Sequence, residues 1–449
     1  MKTIDVPAQT IPVLAETDVL VIGSGPAGLS AAVAAAREGV DTMLVERYGC
    51  FGGNITQAMV GTIAWYRKEK TIEAGGLGVE FEKRAIERGG ALKDPESDGR
   101  GVILETDLFK VVADELLSEA GVTPLLHCLT VDVILEGDAV KGVVTESKSG
   151  RQAIMAKCVI DATGDGDVAF RAGASFVQEP TEKLMAATTS FGCSGVDVDA
   201  FLGYVKKNPS KLSDWAKDTT GKEDNDFSTW IVEPFNKAKE AGDMPPDAPI
   251  AGYWDGLTEA GEATNINVAH VFGVDSTRVQ DLTRAEIEGR KYAMWAVEAL
   301  KKYTPGFKKA RLRTFNSSVG VRESRKIKCE YTLTEDDVKN EARFDDSIGV
   351  CPEFLDAYSV VVMPTTGRYF QFPYRALLPE KIDNLIIAGR SVSADRIAFA
   401  ATRQMMCCTV TGQAAGAGAA ISVKENISCR NIEITKVQDV LRNQGVRID

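Results

Sequence analysis

The 449-residue sequence has no excess of positive charge and no long apolar run. Its 52 lysines and arginines are outnumbered by 64 aspartates and glutamates, which gives a net charge of −12. Nucleic-acid binding needs a concentrated basic face, so this balance argues against that class of function. The apolar runs fall short of the roughly 20 residues that a membrane-spanning helix requires. The first residues lack the order of a signal peptide, and we expect a short arm that leads into the first strand.

Cysteine and histidine do not occur in metal-binding patterns. The nine cysteines form no CxxC or CxxxxC pair, which disfavours a zinc site, an iron–sulfur cluster and a redox-active disulfide. Their odd number and scattered positions favour a reducing compartment, so we expect a cytoplasmic protein with packed thiols, Cys50 included. The sequence has only two histidines. We interpret His127 as structural, because it lies in a segment rich in predicted strands.

A nucleotide-binding pattern stands near the start of the sequence. Residues 18–22 are an apolar run that predicts a buried parallel strand, and residues 26–38 predict a helix rich in small side chains. Residues 41–46 predict a second strand that ends at Glu46. Glu46 stands 18 residues after the last glycine of the intervening loop, at the distance expected for a ribose-binding carboxylate.

The loop between the first strand and the helix carries a GxGxxG motif. Gly23 permits a tight turn, Gly25 lets the backbone approach a pyrophosphate, and Gly28 lets the helix pack against the strand. Pro26 suits the first turn of the helix, whose N-terminus presents free N–H groups to the phosphates. We therefore predict a dinucleotide site rather than a glycine-rich turn that binds nothing, because these features agree in register.

The glycine motif alone is compatible with either NAD or FAD. A second glycine pair, Gly52–Gly53, follows soon after Glu46. An NAD enzyme has no need of this pair. In a flavoprotein the chain turns again under the far half of FAD, where small residues let the backbone approach the pyrophosphate and the ribityl chain. The pair therefore favours FAD as the cofactor.

Four blocks of the sequence, at 21–47, 49–62, 318–338 and 371–420, resemble the FAD-dependent oxidoreductases of the glutathione-reductase-like superfamily. Within that superfamily, the four blocks resemble most specifically a bacterial family that is related to the fumarate reductase and succinate dehydrogenase flavoproteins. It implies an α/β fold in which a Rossmann-like FAD-binding domain carries an inserted α+β substrate domain.

We expect the FAD-binding domain to be discontinuous and to comprise residues 1–175 and 366–449. The inserted domain, 176–365, should cover the isoalloxazine ring of the flavin. The amino-acid composition of this insertion differs from that of the two flanking segments.

Within the inserted domain, residues 281–303 predict a helix that is capped by Asp281 or Thr283. Two polar stretches, 207–229 and 241–265, are expected to be loop-like.

The resemblance also implies which later segments contact FAD. A strand that ends in the turn Ala162–Gly164 marks the return of the chain to the FAD-binding domain, and the strand at 384–388 is followed by a second such turn. The helix expected at 402–421 should point its N-terminal end at the pyrimidine edge of the flavin. Residues 164–169 also match GxGxxA, but no second βαβ unit follows, so we expect no NAD(P)H site. The residues expected to bind FAD are Gly23, Gly25, Pro26, Ala27, Gly28, Glu46, Arg47, Gly52, Gly53, Asn54, Thr163, Gly164, Gly389, Arg390 and Gln413.

Few side chains are candidates for substrate chemistry. His270, from the insertion, is the candidate for proton transfer, with a hydrogen-bonded structural histidine as the alternative. Arg322 is a candidate to bind a substrate carboxylate in a bidentate way, or else belongs to the scaffold with Arg325. Arg396 and Arg403 stand near the start of the helix expected to face the flavin, where either is a candidate to contact flavin or substrate.

The interpretation with most support is an FAD-dependent dehydrogenase or reductase that transfers a hydride between a small organic substrate and flavin N5. The alternative is an electron-transfer flavoprotein subunit of a larger redox complex. A disulfide reductase lacks the cysteine pair, and no motif supports a flavin monooxygenase. A homo-oligomer and an external electron donor or acceptor are compatible with the sequence.

Overall fold

The described residues form two large sheets, each with its own helices, and four two-stranded sheets. The computed structural model describes residues 2–63, 74–92, 102–208, 229–254, 256–357, 360–362 and 368–449. The strands are β1 (Val13–Ile22), β2 (Thr42–Val45), β3 (Ala91–Leu92), β4 (Ile103–Leu104), β5 (Thr123–Leu125), β6 (Leu129–Glu136), β7 (Ala139–Ser147), β8 (Gly150–Asp161), β9 (Phe176–Val177), β10 (Ala187–Ser194), β11 (Ile250–Tyr253), β12 (Gly256–Leu257), β13 (Glu262–Val271), β14 (Arg311–Phe315), β15 (Lys326–Ile327), β16 (Ser347–Pro352), β17 (Leu355–Ala357), β18 (Val360–Val362), β19 (Tyr369–Pro373) and β20 (Leu385–Ile387). The helices are α1 (Pro26–Arg37), α2 (Leu77–Glu87), α3 (Thr106–Ala120), α4 (Asp167–Arg171), α5 (Val198–Lys207), α6 (Thr229–Glu240), α7 (Val279–Tyr303), α8 (Glu335–Lys339), α9 (Arg396–Thr402), α10 (Met405–Glu425) and α11 (Ile434–Asn443). The two-stranded sheets are β3-β4, β9-β15, β16-β19 and β17-β18.

The first sheet is the Rossmann-like part of the molecule. Its strands follow the order β5-β2-β1-β8-β7-β6, and β20 pairs with β8. The strands β5, β2, β1, β8 and β20 pair in parallel, whereas β6 and β7 are antiparallel. Strand β1 begins at Val13 rather than at residue 18, because residues 13–17 pair with residues 153–156 of β8. The expected arm is therefore part of the sheet from Val13 onward.

Helix α10 packs closely on α1 within this part. A Cβ at Gly412 would lie 2.1 Å from the carbonyl oxygen of Ala27, and one at Gly416 would lie 2.2 Å from that of Ala31. Glycines are therefore needed where the two backbones meet. Among the described residues, α10 is the one helix long and apolar enough to cross a membrane, and 94% of its most apolar window is buried inside the protein. It is a core helix.

The helix expected at 402–421 is α10, Met405–Glu425, and a separate short helix, α9, precedes it. Helix α9 ends at Thr402 and α10 begins at Met405, so Arg403 lies at the break between them. The Asp395 carboxylate caps α9 by accepting the N–H groups of Ile397 and Ala398. The sequence expectation missed α9 because this aspartate N-cap was not recognised.

The second sheet has the order β11-β13-β10-β14, and β12 pairs with β13. Its core is aromatic, with Phe201, Trp230, Trp254 and Phe307 in mutual ring contact. Residues 241–265, expected to be loop-like, contain β11 and β12, so that expectation is wrong. Most of the other stretch, 207–229, lies outside the described residues.

The helix expected at 281–303 is α7, which begins at Val279. Neither expected cap acts as one. The Asp281 carboxylate accepts the N–H of Asp275, and the Thr283 hydroxyl donates to the carbonyl of Val279.

The expected boundary at residue 365 is placed too late. Buried residues Ile327, Leu333, Ile348 and Phe354 pack into the core of the first part, not into the aromatic core of the second. Strand β16 explains this, since a Cβ at Gly349 would lie only 2.6 Å from Val410 of α10. The chain has therefore returned to the first part well before residue 365.

Candidate cofactor and substrate site

A cavity of about 380 Å³, here called the central cavity, lies between the two parts of the molecule. One wall comes from the first sheet and includes residues 22–27, 45–48, 162–165 and Arg390. The opposite wall comes from the segment before α7, from α7 itself and from the loop before β15. It comprises Ser276, Val279, Leu282, Thr283, Glu286, Ser318, Val319 and Val321.

The glycine loop after β1 has the geometry of a phosphate site. A Cβ at Gly28 would lie 1.8 Å from the carbonyl oxygen of Gly23, and one at Gly53 would lie 2.5 Å from the Cα of Gly25. A Cβ at Gly25 would meet no atom of the described residues within 4 Å, although Gly25 lines the cavity. In the described part of the chain, no side chain caps the N-terminus of α1. The loop therefore leaves open space and backbone N–H groups where a pyrophosphate fits.

Glu46 joins this loop to the end of β2. Its Oε2 accepts the backbone N–H of Ser24 at 2.9 Å and the Ser24 hydroxyl at 2.6 Å, and its Oε1 accepts the N–H of Tyr48 at 3.1 Å. The carboxylate is 5% exposed and lines the cavity. Glu46 therefore holds the glycine loop in place in addition to facing the position expected for a ribose.

The turn after β8 is held by two buried carboxylates. Asp161 accepts the hydroxyl and the N–H of Thr163 at 2.7 and 3.1 Å, and burial raises its pKa. Asp165 forms an ion pair with Arg390 at 2.7 Å and accepts the Ser276 hydroxyl at 2.9 Å. Burial alone would raise the pKa of Asp165, but Arg390 outweighs it and holds that pKa below its usual value. This network joins the turns after β8 and β20 to the second part.

Most residues expected to bind FAD lie at the central cavity. The lining includes Gly23, Gly25, Pro26, Ala27, Glu46, Arg47, Gly53, Asn54, Thr163, Gly164, Gly389 and Arg390. Gly28 and Gly52 are not in the lining, and instead shape the loops behind it. A Cβ at Gly52 would lie 2.5 Å from the Thr56 side chain.

Gln413 lies away from the cavity, in contrast to the sequence expectation. Its Oε1 accepts the N–H of Leu77 at 2.9 Å, and its Nε2 donates to the Gln444 side chain at 3.0 Å. Gln413 therefore faces α2 and the C-terminal segment, and it is not part of the described lining of the cavity. The sequence expectation placed it on the right helix but on the wrong side of it.

The sequence interpretation missed several lining residues. Gln57 lines the cavity, and its backbone carbonyl oxygen accepts the N–H groups of Ser317 and Ser318. Val279, Leu282 and Glu286 of α7 also line it. Their spacing of three and four residues places them on one face of a helix, and this periodicity was the available signal.

Of the four candidate catalytic residues, Arg403 belongs to the described lining of the cavity, whereas Arg322 lies near Arg403 and Asp356 but outside that lining. Arg403 lines the cavity beside Met405 and Cys408, and it forms an ion pair with Asp356 at 3.2 Å. Arg322 donates to the Asn267 side chain at 3.4 Å. Burial lowers the pKa of Arg322 to about 10, an effect that Asp356 opposes and Arg403 reinforces. We call Arg322, Arg403 and Asp356 the arginine cluster.

His270 and Arg396 lie away from the cavity, in contrast to the sequence expectation. The Nδ1 of His270 lies 3.2 Å from the carbonyl oxygen of Val268, and its ring stacks on the exposed ring of Phe272. Arg396 is exposed at the first turn of α9. Neither belongs to the described lining of the cavity, because β13 directs His270 elsewhere and α9 begins at the surface.

The cysteines are packed or partly packed thiols. Cys50 is half-buried and accepts a hydrogen bond from Gln57 Nε2 at 2.9 Å, whereas the other eight cysteines are buried. Cys408 lines the cavity, and burial raises its pKa to about 12. The Cys408 thiol is therefore held in its neutral form near neutral pH.

Comparison with known proteins identifies the family of this chain. The family model described as "FAD dependent oxidoreductase" matches residues 18–441. A thiamine thiazole synthase of Methanococcus vannielii is 35% identical over 166 residues, which cover 34% of this chain and 57% of that protein. A digeranylgeranylglycerophospholipid reductase of Methanosarcina acetivorans is 28% identical over 188 residues, or 40% of this chain and 46% of that protein. The chain thus spans about half the length of the curated relatives it matches.

One solved structure aligns with most of the chain. A geranylgeranyl bacteriochlorophyll reductase-like protein from Thermoplasma acidophilum aligns with 97% of this chain and 85% of its own, with a TM-score of 0.48 and 16% sequence identity. The family match covers nearly the whole chain, and its members use FAD. The chain therefore belongs to the FAD-dependent oxidoreductase family and is an enzyme whose cofactor is FAD.

Proposed function

We propose that the enzyme is a dehydrogenase or reductase that exchanges a hydride between a small organic substrate and N5 of the flavin. The observation that carries this proposal is the position of the arginine cluster. It adjoins the central cavity at the start of α10, and it provides charged groups that could bind a substrate there. Bound FAD supplies the two-electron redox chemistry, and the protein supplies binding, orientation and electrostatics.

The residues of the chain have separate tasks in this proposal. The glycine loop and the N-terminus of α1 would hold the pyrophosphate, and Glu46 the ribose of the adenosine half. In the described part of the chain no side chain caps α10, so its N-terminus presents backbone N–H groups beside Met405. The positive end of that helix favours negative charge in this part of the cavity.

In this proposal, the second part of the molecule covers the cavity and limits the access of water to it. Leu282, Val319 and Val321 place apolar side chains on the wall opposite the glycine loop. The Glu286 carboxylate accepts the N–H of Val319 at 2.8 Å, which fastens the loop before β15 to α7. In this proposal, these apolar side chains would shield the transferred hydride from side reactions with solvent.

Anaerobic screening of the purified yellow protein tests this function. A panel of small organic reductants is added to the oxidised protein, and a panel of oxidants to the dithionite-reduced protein, while the flavin absorbance is followed. We expect at least one compound to bleach or restore the flavin without any protein partner. An electron-transfer subunit would show no such response in the absence of its partner, and that result would contradict the proposal.

Location and partners complete the proposal. The scattered free thiols support a cytoplasmic location, and blocks 318–338 and 371–420 support the closer relationship to fumarate reductase flavoproteins. The partners we propose are a small-molecule substrate and an external electron donor or acceptor, in a homo-oligomer. Size-exclusion chromatography with light scattering measures the oligomeric state.

A further inference from the structure

We propose that the substrate is an organic anion, and that Arg322 and Arg403 bind its carboxylate or an equivalent acidic group. The inference rests on the proposed function, since it assigns a substrate class to that same site. It follows from the charges of the arginine cluster, from its unpaired donors and from its position at the cavity.

The charges of the arginine cluster do not balance. Arg403 pairs with Asp356 through the carboxylate and also donates to the backbone carbonyl of Asp356. Arg322 donates to the neutral side chain of Asn267. In the described part of the chain, no other carboxylate lies within ion-pair distance of either guanidinium group. Among the described residues, two positive groups therefore lie near one negative group, an excess of one positive charge.

The cluster also has more donors than acceptors. Each guanidinium group carries five N–H donors and no acceptor. The Nε of Arg403 is buried and has no hydrogen-bond partner among the described residues, and the single bond from Arg322 is long at 3.4 Å. Unpaired buried donors are unfavourable. A carboxylate has two oxygens that accept paired N–H bonds from a guanidinium group, so it matches this surplus.

Burial of Arg322 points the same way. Removal from water disfavours its charged form and lowers its pKa to about 10, and the neighbouring Arg403 adds to this effect. An anion placed between the two guanidinium groups would reverse both effects, because an opposite charge nearby favours the charged form. The pair is therefore better suited to an anion than to a neutral molecule.

The position of the cluster connects it to the cavity. Val321, directly before Arg322, lines the cavity, and its carbonyl accepts the Asn54 side-chain N–H at 3.4 Å. Arg403 itself belongs to the lining.

The test compares matched carboxylates and primary amides on FAD-saturated protein, so that the phosphate-binding loop is already filled. The probes are acetate with acetamide, succinate with succinamide, and benzoate with benzamide. Two readouts are used, the flavin absorbance difference spectrum and the shift in the thermal unfolding midpoint. We expect at least one carboxylate to bind saturably and about tenfold or more tightly than its amide.

Variants assign the binding to the cluster. Arg322→Lys and Arg322→Gln should weaken carboxylate binding about tenfold or more, because neither side chain makes a bidentate contact. Arg313→Gln is the matched control, since Arg313 is an exposed arginine of β14 that pairs with Glu262. It should bind carboxylates as the wild type does. Arg403→Lys provides a second test if an Arg322 variant does not retain FAD.

The results separate the inference from the proposed function. Equal affinity for a carboxylate and its amide, no carboxylate binding at any soluble concentration, or unchanged binding in the Arg322 and Arg403 variants would overturn the inference. Carboxylate binding that requires Arg322, without flavin reduction by any compound, would support the inference while contradicting the redox function. If a neutral compound reduces the flavin at a rate that Arg322→Gln does not change, the result would support the redox function and contradict the inference of an anionic substrate.

Discussion

Gly25 allows FAD binding to be separated from folding. Its φ of −62° and ψ of −179° are accessible to any residue, and an added Cβ would meet no atom of the described residues within 4 Å. An alanine at this position introduces neither backbone strain nor a clash. The free energy of unfolding of the Gly25→Ala apoprotein should therefore stay within about 0.5 kcal/mol of the wild-type value.

The same methyl group should weaken FAD binding. Gly25 lines the cavity at the uncapped N-terminus of α1, so the methyl group would stand where the pyrophosphate must approach the backbone. A charge-assisted hydrogen bond contributes about 1.5–3 kcal/mol. The loss of one such bond corresponds to a rise of about 10- to 100-fold in the Kd for FAD.

The assay titrates apoprotein with FAD and follows the quenching of flavin fluorescence, while urea unfolding of the apoprotein measures stability. Gly28→Ala is the folding control, because its Cβ would lie 1.8 Å from the Gly23 carbonyl oxygen and should destabilise the apoprotein itself. Gly39→Ala is the strain control. Its φ is +76° and its Cβ would meet no neighbour among the described residues, so it should cost about 1 kcal/mol and leave the Kd unchanged. A wild-type Kd in Gly25→Ala would refute the placement of the pyrophosphate.

Two further predictions follow from Glu46 and from the thiols. Glu46→Ala should raise the Kd for FAD about 10- to 100-fold, because the Glu46 carboxylate lines the cavity and accepts both the N–H and the hydroxyl of Ser24. The fluorescence titration measures this Kd, and an unchanged value would remove Glu46 from the site. With Ellman's reagent at about pH 8, one thiol per chain, that of the half-buried Cys50, should react quickly. Burial raises the pKa of thiols such as Cys193 and Cys408 to about 12, which keeps them protonated and slow to react. Cys50→Ser should abolish the fast phase, and more than one fast thiol would contradict the burial.

The parts of the fold that the sequence predicted well are those set by local constraints. The GxGxxG loop, α1 and β2 are contiguous in the chain, and each glycine has a steric reason that depends on its immediate neighbours. A motif of this kind can be recognised because its residues must be small, apolar or acidic at fixed spacings. The expected FAD-binding residues near residues 23–54 therefore fall almost entirely on the cavity lining.

The errors arise where distant segments decide the outcome. Residues 13–17 become strand because they pair with β8, about 140 residues away in the chain. Gln413 lies on a helix buried along most of its length. The amino-acid pattern of α10 does not show which side faces α1 and which faces α2. Residues 327–355 were assigned to the insertion because composition alone cannot show which core a buried segment joins.

The choice of His270 by elimination failed for a related reason. It rested on the ordinary pKa of a histidine and on the small number of titratable groups, neither of which carries information about position. The structure instead brings together Arg322, Arg403 and Asp356, each held by a different local feature. Arg322 follows a loop fastened to Gln57, Arg403 occupies the break between α9 and α10, and Asp356 lies on β17.

Bringing two guanidinium groups together beside one carboxylate carries a cost in folding stability. Like charges repel, and burial of Arg322 lowers its pKa to about 10, so folding disfavours its charged form. Replacement of Arg322 by an uncharged residue of similar length should relieve that cost in the ligand-free protein. A protein that keeps an arrangement of this kind at the edge of its cofactor cavity gives up stability for a task, as functional sites commonly do. The task that fits two positive groups with spare N–H donors is the binding of an anion, and this physical argument favours an acidic substrate over a neutral one.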